Sequence, residues 1–403
     1  MLEFLLFILA GIGFGTFTGL VPGIHVNLIC ILLLGISSTF MGLNPYYLVA
    51  LIISMSVTHT ILDFIPSILL GCPEDSTALS VLPGHKMLLK GKGLEAIYLT
   101  IVGGIGVILF FVLMIPILIK IIPIFYETVK NYIHYILIAI VLCLILTEKG
   151  YRKLLGLFVF LISGLLGLIA FNIPGISSTL LFFPLFTGLF GISTLLISIN
   201  SETKLPKQDN EIQEVKTSLV INGIVKAFFS GLLVGTLPGV GAAQATVLSQ
   251  QITRKTDMKE FLVSIGGINT ATAIFSLVAL YTIGKPRSGA AVAVKKLVEN
   301  FGINELILVV AAGLIATGIA SLLALFLSKR FLNVMEKISY KKLSLSIIIV
   351  LIGLTIFLTG WIGILILFVS TMIGLLAPLL NVKRSFAMGV LMLPIILFYF
   401  GII

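Results

Sequence analysis

The sequence predicts an all-α polytopic membrane protein built as two inverted-topology repeats with Pro-Gly-broken and re-entrant helices. Three observations carry that expectation. Of the 403 residues, 59% are hydrophobic and only 10% charged, with a mean hydropathy of +1.21; a soluble domain is about a quarter charged. Apolar runs long enough for a bilayer core of ~30 Å recur along the chain. And an unusual string, GTFTGLVPGIHVN at 15–27, returns in similar form as GLLVGTLPGVGAA at 231–243.

The first apolar run starts at Met1 with neither a basic leader nor a small-residue cleavage site, so it is expected to be a retained first helix rather than a signal peptide. Further runs are Tyr46–Leu62, Leu94–Ile119, Ile133–Leu146, Leu154–Phe171 and Leu343–Ile366. Cys30, Cys72 and Cys143 are scattered through apolar sequence and suggest neither disulfides nor a metal site. The net charge of +10 comes from basic residues that sit between apolar runs. They are read as cytoplasmic anchors under the positive-inside rule, not as a nucleic-acid surface.

NSETKLPKQDNEIQEVKT, from residue 200, is polar, carries both signs of charge and contains proline. It divides the chain into a first repeat, 1–199, a linker, 200–216, and a second repeat, 217–403. Matches across the linker keep their order. Gly15, Gly19, Pro22 and Gly23 answer to Gly231, Gly235, Pro238 and Gly239; SMSVTHT (54–60) to SIGGINT (264–270); GCPEDSTALSV (71–81) to GKPRSGAAVAV (284–294); FNIPGISSTLLFFP (171–184), more loosely, to LNVKRSFAMGVLMLP (380–394). Lysine and arginine set the orientation. The second half concentrates them in ITRKTDMKE (252–260) and SKRFLNVMEKISYKK (328–342), where the first half is nearly bare; the first half has them in GHKMLLKGKG (84–93) and EKGYRK (148–153). The counterpart of EKGYRK, near Thr359–Gly363, has no charge. Basic loops thus alternate oppositely in the two halves. The expected topology is inverted, with the linker cytoplasmic and both termini outside.

Proline removes a backbone donor and glycine admits unusual dihedrals, so Pro22–Gly23 and Pro238–Gly239 are expected to end one helical segment and begin another. Backbone groups freed at membrane depth need protein or a wet cavity to face, and breaks at matching places in inverted repeats point to a transporter's binding site. The plainer account is a pair of kinks that serve packing alone. Each break is followed by a second interruption, GCPEDST (71–77) and GKPRSG (284–289), read as the tips of re-entrant or broken helices. Ser76, Thr77 and Ser288 would stand near helix N-termini, which favour anions. Lys285 and Arg287 are candidate counter-ions for a carboxylate or phosphate, and Glu74 and Asp75 candidate carriers of a coupling proton or cation such as Na+. The plainer account of both tips is solvated charge at the membrane boundary.

His25 and Asn27 follow the first break, and Gly241 and Gln244 follow the second, as possible cavity lining. His59 and Asp63 lie four apart inside an apolar helix and so share a face; a charge there is costly and points to function. The pair is a candidate proton path, with a buried structural contact as the alternative, and Asn269 occupies the equivalent place in the second half. His85 and His134 read as interfacial.

GTFTGLVPGIHVN, GCPEDSTALSVLPGHKMLLKGKGLEA, GLLVGTLPGVGAAQA and FNIPGISSTLLFFPLFTGLFGI resemble the signature regions of the TctA family, the integral permeases of tripartite tricarboxylate transporters. The similarity runs over nearly the whole chain, and the Pro-Gly loops are its specific part. This chain has IHVN where the family has a further Gly-Pro, and SIGGINTATA carries no acidic residue. It resembles a compact, divergent branch, of the kind found in archaea. The resemblance implies a secondary transporter that moves a di- or tricarboxylate by alternating access, coupled to a proton or Na+. It also implies a soluble binding protein and a small membrane subunit as partners, and no cofactor.

Two rivals remain. Polyprenyl-phosphate translocases also pair Pro-Gly loops with small polar residues in re-entrant hairpins, and Lys285 and Arg287 would serve a lipid phosphate equally well. An intramembrane enzyme is disfavoured: no two of the four histidines have His-Glu-x-x-His spacing, and Ser76 with His85 is an unsupported catalytic pair.

Overall fold

The structure, a computed structural model, describes residues 2–21, 26, 29–30, 33, 44–73, 76–146, 148–176, 178–199, 206–209, 211–236, 241–242, 245–247, 249, 257–298, 300–335 and 340–402. Pro22, Gly23, His25, Asn27, Glu74, Asp75, Pro238, Gly239 and Gln244 lie outside the described residues. Among the described residues all regular elements are helical, and nine helices are long and apolar enough to cross a membrane. The chain is a multi-pass helical membrane protein, the architecture that satisfies backbone groups within each span.

Helix α1 covers Leu2–Leu20 and α2 Pro45–Leu62. Asn44 sets the start of α2 by accepting from the Tyr46 N–H at 3.1 Å, with Pro45 in the first turn, where its missing N–H costs nothing. A π turn, Pro66–Leu70, extends α2 to Gly71, whose left-handed backbone (φ 67°) stops it. The short α3 (Val81–Leu88) leads into α4 (Gly93–Val129), and α5 (Ile133–Leu146) and α6 (Arg152–Phe171) follow. Helix α7 (Ser178–Phe186), a second π turn (Thr187–Ile192) and α8 (Ser193–Ile199) close the first half.

A second series of helices follows residue 216. Helix α9 spans Thr217–Thr236; α10 spans Met258–Ile283, capped by Asp257 and stopped by left-handed Gly284 (φ 66°). The short α11 (Gly289–Leu297) precedes the long α12 (Ile303–Met335). Helix α13 (Tyr340–Leu379) breaks its dihedrals at Gly360 (φ 63°, ψ −156°). A 3-10 turn, Arg384–Met388, and α14 (Gly389–Tyr399) complete it.

Side-chain contacts give the helix directions. Gly11, Gly15 and Gly19 of α1 meet Leu51, Met55 and Leu62 of α2 in that order, so these neighbours are parallel. Gly223, Gly231 and Gly235 of α9 likewise meet Val263, Ala271 and Phe275 of α10. In the sequence, a Pro-Gly pair lies between the two helices of each parallel pair. Helix α4 is parallel to α10, from the Glu95–Lys259 ion pair at one end to Tyr126 and Lys285 at the other. Helix α12 is parallel to α2 (Tyr46 Oη to Glu305 Oε1, 2.7 Å) and antiparallel to α4, since Gly93 meets Leu332. Helices α1, α2 and α12 therefore run one way, and α9, α10 and α4 the other.

Backbones touch at the centre. A Cβ on Gly103 would collide with the Val263 carbonyl oxygen, and one on Gly266 with that of Thr100. Without a hydrophobic driving force between helices in lipid, such small-residue contact is what holds spans together. The linker also docks. Gln208 accepts from the Gly93 N–H at 3.0 Å and donates to the Leu88 carbonyl at 3.0 Å, and the Asp209 N–H donates to the Gly91 carbonyl at 2.8 Å.

Candidate functional site

The two halves meet through buried polar side chains. Asp63 follows the last turn of α2, and Asn269, in the middle of α10, donates from Nδ2 to Asp63 Oδ2 at 2.8 Å and to the Thr60 carbonyl at 3.1 Å. One turn earlier on α2, His59 Nδ1 stands 3.1 Å from Thr18 Oγ1 of α1. Thr18, His59, Asp63 and Asn269 are each at most 5% exposed. Asn269, expected at the equivalent of the His59 region, is thus the direct partner of Asp63 across the halves. A carboxylate this deep is expensive unless bonded, and a neutral amide donor supports it without cancelling its charge. Gly19 packs so closely on α2 that a Cβ there would stand 3.2 Å from both the Asp63 nitrogen and the His59 carbonyl oxygen. Helix α1 therefore ends at this cluster, just ahead of the first Pro-Gly pair. Gly241, after the second pair, accepts from the Ala245 N–H at 3.1 Å.

The second tip is a cationic cluster. Lys285 Nζ donates to Tyr126 Oη at 3.0 Å, and the Lys285 ammonium and the Arg287 guanidinium each stand 5.1 Å from the centre of the Tyr126 ring. Lys295 Nζ donates to the Gly284 carbonyl at 2.8 Å. Among the described residues, Arg287 Nε and Nη2 are buried with no hydrogen-bond partner, and no carboxylate pairs with Lys285 or Arg287. Ser288 is committed to the local fold: it caps α11 by accepting from the Ala291 N–H at 3.2 Å and takes a 2.9 Å bond from Ser276. Its hydroxyl shapes the tip.

The first tip is built differently. Thr77 Oγ1 lies 2.7 Å from Ser67 Oγ of the π turn, Ser80 Oγ donates to the Thr77 carbonyl at 2.6 Å, and Ser76 is half-buried. His85, expected at an interface, is 2% exposed; its Nδ1 is 2.7 Å from the Ile68 carbonyl, which the π turn presents to it. Because α2 and α10 run in opposite directions, Gly71 and Gly284 stand at opposite ends of the molecule. The two tips do not form one site. His134 does lie among rings, 4.9 Å from Phe400 and 4.1 Å from Tyr135, as an interfacial residue should.

Sequence reasoning missed three features. Tyr126 lies past the apolar run Leu94–Ile119 and carries no signal of its own in the sequence. Arg384 appeared only within a loose echo, yet its Nη1 reaches Ser193 Oγ and the Phe190 carbonyl at 3.5 Å and bonds Thr194 Oγ1. At the other end of α4 and α10 from Tyr126, Glu95, 3% exposed, pairs with Lys259 at 2.6 Å and Lys92 at 3.7 Å, and Lys226 pairs with Glu260. The signal for this network was an acidic residue in the first turn of both α4 and α10.

The comparisons agree with this architecture. The model of the tripartite tricarboxylate transporter TctA family matches residues 5–389. An uncharacterized protein of the archaeon Methanocaldococcus jannaschii is 36% identical over 416 aligned positions, covering 98% of each chain. No solved structure matches. With a family model matched over almost its full length, this chain belongs to the TctA family of tripartite tricarboxylate transporters.

Proposed function

We propose that the chain is a secondary transporter that moves a di- or tricarboxylate by alternating access between two inverted repeats, with uptake coupled to a proton or Na+ at Asp63. The observation that carries the anion reading is the second tip, where Lys285 and Arg287 crowd one tyrosine ring with no carboxylate among the described residues to neutralise them. An anion binds where positive charge is left over, and a guanidinium fork fits a carboxylate in two-point fashion. The opposite directions of α1, α2 and α12 against α9, α10 and α4 support inverted repeats. The Asp63–Asn269 bond supports coupling, because a cation or proton arriving there acts on both halves at once.

The docked linker shares one end of the molecule with Lys86, Lys90, Lys92 and Lys259, which supports that end as cytoplasmic and the termini as outside. A C-terminal reporter that proved cytoplasmic would overturn this orientation. A soluble binding protein would then deliver substrate to the Lys285–Arg287 end, with a small membrane subunit alongside.

One observation favours the lipid-phosphate alternative. An apolar cavity of about 330 Å³, lined by Val112, Ile115, Leu306, Val310, Ala311 and Leu314, opens between α4 and α12 and could take a prenyl chain. Reconstituted liposomes separate the two: counterflow of labelled di- and tricarboxylates is expected, and translocation of a short-chain prenyl phosphate in their place would select the alternative. If neither anion moved, the transporter reading would fail.

A further inference from the structure

We propose a second oxyanion site, centred on Arg384, at the opposite end of the molecule from Lys285 and Arg287. It would receive the carboxylate or phosphate of the transported anion before release or after capture on that face. The proposal rests on the anion-transport reading above.

Three features converge there. Among the described residues the guanidinium makes its hydrogen bonds through Nη1, to Thr194, Ser193 and the Phe190 carbonyl, so Nε and Nη2 keep donors for a ligand. Among the same residues no carboxylate pairs with it. An arginine that only braces a fold is commonly saturated by a carboxylate or by several carbonyls, and a cation held by neutral groups alone within a membrane protein marks a ligand path. Next, the residues it grips belong to the π turn Thr187–Ile192 and the start of α8. π turns are rare and gather at functional sites, and Thr187 Oγ1 within this one is buried with no partner among the described residues.

Finally, the same turn is pressed against the first tip. A Cβ on Gly191 would collide with the Gly71 carbonyl oxygen and stand 3.2 Å from the Pro73 ring. A Cβ on Gly71 would stand 3.5 Å from Leu195 and 3.8 Å from His85 Cε1. Both π turns, the left-handed glycine that ends α2 and the Arg384 side chain thus share one place, drawn from both halves of the chain. A fork of N–H donors flanked by hydroxyls recognises the planar or tetrahedral oxygens of a carboxylate or phosphate. Each end of the molecule then holds its own arginine for the same group.

Sided counterflow in proteoliposomes of the full-length protein tests this, run with labelled citrate and, in parallel, with a short-chain prenyl phosphate. Whichever anion moves names the source of the oxyanion. Arg384→Gln should raise the half-saturating concentration at the Arg384 face by about 10- to 100-fold and leave the other face within about twofold; Arg287→Ala should do the reverse. Arg384→Lys, which keeps the charge and loses the fork, should recover part of the loss. A wild type that moves neither anion sinks the transport reading and this site with it. A transporting wild type whose Arg384→Gln variant is unchanged, or changed equally at both faces, overturns this site alone. Should Arg384→Gln fail to fold, Thr194→Val and Ser193→Ala leave the guanidinium in place; normal kinetics at both faces in these variants would also overturn it.

Discussion

The two halves of the chain divide their charges unequally. The first half holds a buried carboxylate, Asp63, and the second supplies its neutral amide partner, Asn269. The second half holds Lys285 and Arg287 on its tip and Arg384 near its end, while the described part of the first tip offers hydroxyls and a glycine turn. Both halves hold a parallel helix pair and a glycine stop; the first has one helix of 37 residues, α4, and the second has two long ones, α12 of 33 and α13 of 40. What differs is the chemistry. Under the proposed transport reading, the first half would serve a coupling cation and the second an anionic substrate, joined where Asn269 bonds Asp63.

Substitutions can break this division of labour. The largest effect is expected from Asp63→Asn, which keeps shape and removes the charge. Gradient-driven accumulation in liposomes should fall at least about a hundredfold while substrate exchange persists. Accumulation at the wild-type level would place coupling elsewhere. Arg287→Ala should weaken equilibrium anion binding by about 10- to 100-fold, as expected for losing a charge-assisted contact. Unchanged affinity would mean that the second tip is only solvated charge.

Asn269→Ala tests the joint between the halves. Removing the donor should lower accumulation by about tenfold, with a smaller change in exchange; an equal loss in both would make the residue structural. The smallest effect belongs to Ser288→Ala. Loss of the α11 cap should destabilise the protein by about 1 kcal/mol in a thermal melt and leave anion affinity nearly intact. A large affinity loss there would return the hydroxyl to the binding site.

Much of this architecture was legible in the sequence because long apolar runs and glycine stops constrain the backbone directly. Gly71 and Gly284 read as tips and do stop their helices in the left-handed region. The apolar runs read as spans, though Leu94–Ile119 continues to Val129 as part of α4. Partners were not legible. Asn269 and Asp63 are far apart along the chain, and neither flank announces the other. Nothing near Tyr126 in the sequence points to Lys285; the parallel course of α4 and α10 brings its hydroxyl there. His85 read as interfacial from its neighbours Gly84 and Lys86; a π turn, which local pattern does not signal, supplies the carbonyl that lets it be buried.

The contact between α4 and α10 bears on how such a molecule can move. At Gly103 and Gly266 main chain rests directly on main chain, with no room for even a methyl group. Interlocked surfaces of that kind resist sliding, because any translation along the helix axes drives carbonyl oxygens into the opposite backbone. These two helices come from different halves and carry the Lys285–Tyr126 contact at one end and the Glu95–Lys259 pair at the other. Any relative motion of the two halves would have to leave this contact intact and be carried by the helices that pack around its sides.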